Sequence, residues 1–185
     1  MPLNSDTATS SGTYTVTARV LHWLTAIIVI TALAVGIVMD RIGEGPVADF
    51  LFNFHRSLGA TLIPIALFRI YWRFTHKPPP LPLDIPLPQR LAAETVHWLL
   101  YAIILIQPLI GWIATSAYRA PIPVYGLFNL PPIWPENRAF SEALFATHMY
   151  IGWALCLLLA MHIGGALFHH FIRKDRILMR MVTGA

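Results

Sequence analysis

Cysteine is all but missing from this chain: one residue, Cys156, in 185. A single thiol excludes an intrachain disulfide framework, a CxxC redox pair and a thiolate metal site, and its place between apolar neighbours makes it a packing residue. No CxxCH occurs, which excludes covalent haem attachment. Charge is scarce as well. Asp, Glu, Lys and Arg make up 12% of residues against 56% hydrophobic, and mean hydropathy is +0.60. A soluble core needs no such excess, and the balance is that of a one-domain polytopic membrane protein. Residues 1–16, MPLNSDTATSSGTYTV, are polar and short of basic residues, which argues against a cleaved secretory signal and for a disordered tail.

What the chain does have is long apolar runs that carry histidine. Four are predicted to span a membrane, at about 18–39, 50–74, 91–117 and 142–172, within a domain of about 17–175 followed by a basic tail, 176–185. The second is interrupted by Pro64, which neighbouring helices can absorb. The linker HKPPPLPLDIPLPQ between the second and third spans reads as an extended surface segment. The proline-rich but apolar stretch RAPIPVYGLFNLPPIWPENR reads as a lid over the bundle mouth. The expectation is an all-α, integral-membrane four-helix bundle.

An even number of spans puts both termini on one side. Arg19, Arg69, Arg73, Lys77, Arg90, Arg173, Lys174, Arg176 and Arg180 fall on the side of the termini, and only Arg41, Arg56, Arg119 and Arg138 on the other. By the positive-inside rule the termini are cytoplasmic in a bacterial inner membrane, and the net charge of +4 requires no nucleic acid.

Orientation sorts the histidines by depth. His148 and His162 are fourteen residues apart, so in one helix they share a face within about 40° and stand about 21 Å apart along the axis. His22 opens the first span at the inside and meets the depth of His162. His55 opens the second at the outside and meets that of His148. Histidine at membrane depth is costly unless it faces protein, water or a cofactor. An imidazole can instead bond a carbonyl of a neighbouring helix, but four at matched depths favour ligation. Zinc would want three or four ligands at one depth. Opposed pairs suit low-spin haem with both axial positions filled, and predict two non-covalent b-haems stacked across the membrane.

The segments YTVTARVLHW, NFHRSLG with RIYWRFTHKPPP, VHWLLYAIILIQPLIGW, and THMYIGW through MHIGGALFHHFIRKDRILMRM resemble the bacterial cytochrome b561 family over roughly residues 14–182. The resemblance implies His22, His55, His148 and His162 as haem ligands. It also implies electron transfer between the outer face and ubiquinone, with superoxide as the outer donor in the superoxide oxidases of the family and a periplasmic redox protein in other members. It makes His169 the choice for hydrogen bonding a quinone carbonyl.

Helical spacing supports part of this. His169 is seven residues past His162, within about 20° of the same face and roughly 10 Å nearer the inside surface. His97, near the inside end of the third span, is a further candidate for the same pocket. Arg69 and Arg73, one turn apart, suit a haem propionate, a quinone head group or lipid phosphate. Arg19 is placed to meet a propionate of the inner haem and Arg56 one of the outer. Trp23, Trp72, Trp98 and Trp134, near span ends, read as interfacial anchors in membrane lipid. Capture of superoxide, a small anion, asks for a locally positive funnel, for which Arg56, Arg119 and Arg138 are the candidates. The contrasting class is a non-redox membrane scaffold whose histidines only bridge helices.

Overall fold

The first helix begins where the Thr15 hydroxyl accepts from the amide of Ala18 at 3.2 Å, which satisfies one of the donors that a helix start leaves unpaired. The computed structural model describes residues 12–82 and 84–184, so the expected N-terminal tail lies mostly outside the described residues. Helix α1 is Val16–Met39, α2 Pro46–Thr75 and α3 Leu87–Tyr118. Helix α4 is Arg138–Leu167, started by the Asn137 side chain accepting from Phe140 N, and it runs on as a π-helical stretch over Phe168–Arg173. A short α5 covers Ile177–Val182. The helices start about two to four residues before the expected spans, because hydropathy marks the apolar interior and not the caps.

Among the described residues there are five α-helices, not four, the fifth only six residues long. Three stretches are long and apolar enough to cross a membrane: α1, α3 and Arg138–Arg173. Helix α2 has the length, at 30 residues, but Asp49, Arg56, Arg69 and Arg73 dilute its apolar character. Helices α2 and α3 continue through Pro64 and Pro108.

The buried centre is one cluster of Ile28 and Val29 from α1, Leu58, Leu62 and Ala66 from α2, Ile104 from α3 and Leu155 from α4. Leu155 stands seven residues from each of His148 and His162. The cluster therefore separates two polar layers. Lipid tails are as apolar as leucine, so close packing and interhelical hydrogen bonds, not removal from water, hold such helices together. Helices α3 and α4 meet where Ser116, Ser141, Ala114 and Ala117 are buried, and the Ser141 hydroxyl donates to Ala114 O at 2.9 Å. Small residues allow that approach. Helix α4 packs chiefly on α3, and does not close to the same extent on α1 or α2.

Two further features define the ends of the bundle. At one end, β1 (Pro123–Val124) pairs antiparallel with β2 (Phe128–Asn129) through a turn whose central residues Tyr125 and Gly126 both have positive φ, 50° and 74°. The three-residue connection 125–127 is closed by Leu127 N donating to Val124 O at 2.9 Å, and its two positive φ values give the twist that tight hairpins require. Ser57 ties this hairpin to α2, donating to Pro123 O at 3.0 Å and accepting from Tyr125 N at 2.9 Å. Within the segment expected to be a lid, residues 123–129 are thus a hairpin on α2, while Pro131 O accepts from Trp112 Nε1 and Ile133 N donates to Ser116 Oγ on α3. At the other end the two described termini meet, as Trp23 Nε1 donates to Met181 O at 3.2 Å and an Arg19 nitrogen to Val182 O at 3.5 Å. The basic segment after residue 175 holds α5 docked against the start of α1.

Candidate functional site

At the hairpin end, α2 and α4 turn His55 and His148 toward each other with ring centroids 6.0 Å apart. His55 Nδ1 lies 2.9 Å from Ala32 O of α1, and His148 Nδ1 3.1 Å from Gln107 O of α3. A carbonyl oxygen only accepts, so both rings carry their proton on Nδ1 and leave the Nε2 lone pair for something else. Gln107 completes a reciprocal clamp by donating from Nε2 to His148 O at 2.6 Å. Two glycines make room for the rings. A Cβ at Gly36 would stand 3.3 Å from His55 Cε1, and one at Gly111 would stand 3.3 Å from His148 Cε1. Glycine in a helix interior costs about 1 kcal/mol relative to alanine, and here the imidazoles occupy the space that an alanine would need.

At the terminal end, α1 and α4 bring His22 and His162 to the same separation, 6.0 Å between centroids. Arg69 of α2 approaches His22, Nη2 to Nδ1, at 3.0 Å. His97 of α3 packs edge-on against His162 at 5.2 Å.

The spacing limits what fits between the rings. Two imidazole–metal bonds of about 2 Å, plus the distance from each nitrogen to its ring centre, put centroids about 6 Å apart when one ion lies between them. Among the described residues no group of three or more His, Cys, Asp or Glu side chains is arranged to hold a metal ion. An ion at either pair therefore needs its remaining ligands from a group other than the protein, as a planar macrocycle supplies. Room exists for one. A cavity of about 680 Å³ lies at the hairpin-end pair, lined by His55, His148, Gly36, Gly59 and mostly apolar side chains. The limited closure of α4 on α1 and α2 leaves space in the direction a flat ligand needs. The residues of the hairpin-end pair fit haem.

The other sequence candidates divide. Arg56 lines the cavity, while its Nη1 is 3.3 Å from both Asn53 Oδ1 and Pro121 O. Arg119 and Arg138 do not line it. Arg119 takes the left-handed conformation that ends α3, with its Nε 3.7 Å from Glu136 Oε2, and Arg138 stacks 3.8 Å from the Tyr118 ring centre. Arg41 does line the cavity, together with Asp40 and Asp49. At the terminal end Arg19 contacts the end of α5, and Arg73 lies 5.7 Å from the Trp98 ring centre.

His169 sits on the π-helical stretch, its Nδ1 2.5 Å from Asp175 Oδ2. Asp175 also accepts from Ile177 N at 3.1 Å and lies 3.6 Å from Arg173 Nε. Burial alone would push the Asp175 carboxyl up, but the His169 and Ile177 hydrogen bonds and the neighbouring charges hold it below the usual carboxylate range. Sequence reasoning missed Asp175, Gln107, Gly36 and Gly111 as site residues. Of these, only the glycines inside otherwise apolar helices carried a local signal.

A membrane-embedded helical bundle that turns facing imidazoles toward buried space is the build of a membrane cytochrome b. The chain belongs to the prokaryotic cytochrome b561 family, whose model matches residues 13–184. It is 34% identical over 174 residues to cytochrome b561 homolog 2 of Escherichia coli K12, covering 91% of this chain and 90% of the relative. It is 30% identical to cytochrome b561 homolog 1 of the same organism, covering 88% and 92%. It is 24% identical to a protein of Yersinia pestis named probable superoxide oxidase CybB, covering 88% and 91%. The protein is a multi-pass bacterial inner-membrane protein of electron transfer, in a family that binds b-type haem.

Proposed function

We propose that the chain holds two b-haems, one between His55 and His148 and one between His22 and His162, and passes electrons between the periplasmic face and ubiquinone. The observation that carries this reading is the matched pair of 6.0 Å imidazole separations at opposite ends of α4. Four spans, α1 to α4, set both termini in the cytoplasm, as the distribution of basic residues requires. The haems, when bound, supply one-electron carriers on either side of the central apolar cluster.

The protein's own residues do the rest. The carbonyls of Ala32 and Gln107 hold the hairpin-end rings in the ligating tautomer. Arg56 brings positive charge to the cavity that opens onto that site. Superoxide is the leading donor: two superoxide anions give two O₂ and two electrons, and ubiquinone takes two electrons and two protons to become ubiquinol. His169 Nδ1 is held by the Asp175 carboxylate, and as an imidazolium paired with that carboxylate the ring donates from Nε2–H to a quinone carbonyl. The second reading, a quinol-linked cytochrome b that exchanges electrons with a periplasmic redox protein, is favoured by one observation. Arg119 and Arg138 are engaged with Glu136 and Tyr118, which leaves less positive charge facing the cavity.

Haem reduction by pulses of superoxide separates the two. With superoxide as substrate, reduction outpaces spontaneous dismutation, slows as ionic strength rises, and slows several-fold further in Arg56→Glu. Reduction no faster than dismutation allows would assign the outer site to a redox protein.

A further inference from the structure

The stretch 120–135, APIPVYGLFNLPPIWP, takes no part in either histidine pair, and none of its residues lines the cavity. It carries no Asp, Glu, Lys, Arg or His, and five of its sixteen residues are proline, which has no amide proton to leave unpaired. Other backbone groups find partners close by. Tyr125 N and Pro123 O both bond Ser57 Oγ, Leu130 N donates to Ile122 O at 2.9 Å, and Ile133 N donates to Ser116 Oγ at 3.2 Å. At membrane depth, irregular backbone is tolerated only where its polar groups are satisfied by protein, and this stretch meets that condition at these positions.

The same hydrogen bonds fix its depth. Ser57 follows His55 by two residues on α2. Trp112, whose Nε1 donates to Pro131 O at 2.9 Å, follows Gly111, the glycine that faces His148. The hairpin therefore sits at the level of the His55 and His148 rings. The Tyr125 hydroxyl reaches further, 2.9 Å from Thr61 Oγ1, which is about 9 Å past His55 toward the middle of the bundle. Helix α2 has 30 residues and is about 45 Å long, the thickness of a bilayer with its head groups, so hydrocarbon begins about 7 Å from its end. Ser57 lies about 16 Å from that end, inside the hydrocarbon of a bilayer that α2 spans. At its turn the hairpin presents Leu127, 81% exposed, with Phe128 at 57% and Tyr125 at 50%.

We propose that the hairpin is inserted in the bilayer, its turn lying among the acyl chains of the leaflet at the hairpin end. There it forms a non-helical wall between lipid and the α2 and α3 flank of the His55–His148 layer. The inference rests on α2 as one of the four spans, and not on the haems. Lipid is the occupant because depth, the absence of charge and the satisfied backbone groups all suit hydrocarbon. The first charge after the stretch, Glu136, follows directly on Trp134 and Pro135, the order of a segment that leaves through the interfacial belt.

The test places a nitroxide on the turn of the full chain in phospholipid vesicles. Leu127→Cys is labelled in a Cys156→Ala background. Leu67→Cys, 54% exposed further along α2, is the lipid reference, and Glu44→Cys, in the connection between α1 and α2, the aqueous one. Power saturation compares collision with oxygen, which concentrates in hydrocarbon, and with a water-soluble nickel chelate. The label on Leu127→Cys is expected to follow Leu67→Cys, open to oxygen and protected from nickel. Nickel accessibility equal to that of Glu44→Cys overturns the proposal. So does protection from both reagents with spin–spin broadening, which makes the occupant a second copy of the chain. Phe128→Cys gives the same reading should Leu127→Cys fail to fold. A Leu67→Cys label open to nickel would instead strike α2 from the spans, and the inserted hairpin with it.

Discussion

His148→Ala is expected to leave one haem per chain, and His55→Ala to leave the same one. An axial bond lost from a bis-histidine site removes the ligand that holds the group non-covalently. His22→Ala and His162→Ala are expected to match each other in the same way and to differ spectrally from the first two. The measurement is haem-to-protein ratio together with the reduced-minus-oxidised spectrum of each purified variant. About half the haem is lost each time. Pairing is the point under test, because His148 and His162 lie on one helix while their partners lie on α2 and α1. Variants of His148 and His162 that both kept two haems with unchanged spectra would break the assignment.

The second large effect concerns quinone. His169→Phe keeps an aromatic ring but removes the hydrogen-bond donor, and it touches neither axial ligand. Both haems are expected to remain, while electron transfer from reduced haem to ubiquinone slows roughly ten- to a hundredfold, the range a hydrogen bond of about 1 to 3 kcal/mol explains. Asp175→Asn is expected to slow the same step less, since Asp175 acts through the ring it orients. Single-turnover mixing of reduced protein with a short-chain quinone reads both. Unchanged quinone reduction in His169→Phe would move the site elsewhere, with His97 and Arg73 the next places to look.

How far the sequence carries depends on which atoms do the work. Helical pitch is fixed, so the fourteen-residue step from His148 to His162 told their face and separation before any fold was known. Matching depths then named His55 and His22 as their partners, and the rings do meet in those pairs. The groups behind the hairpin-end rings were illegible because they are main-chain carbonyls of Ala32 and Gln107, which carry no side-chain signature. The seven-residue step from His162 to His169 assumed one pitch, but α4 changes to a π-helical stretch at Phe168, where each turn takes more residues. The arginines are harder to place from sequence, for another reason. A cation near a site has many partners, and Arg138 found the Tyr118 ring, Arg119 the Glu136 carboxylate and Arg19 the end of α5. The apolar proline-rich loop read as a lid because its composition is unusual, but Ser57 fastens its hairpin to the side of α2 and none of residues 120–137 lines the cavity.

The central claim is that this chain carries two bis-histidine haems, and the most direct measurement is haem-to-protein stoichiometry of the purified wild type combined with electron paramagnetic resonance of its oxidised form. Two b-haems per chain, both low-spin ferric, are expected. A single haem, or a high-spin ferric signal showing an open axial position at either site, would contradict it.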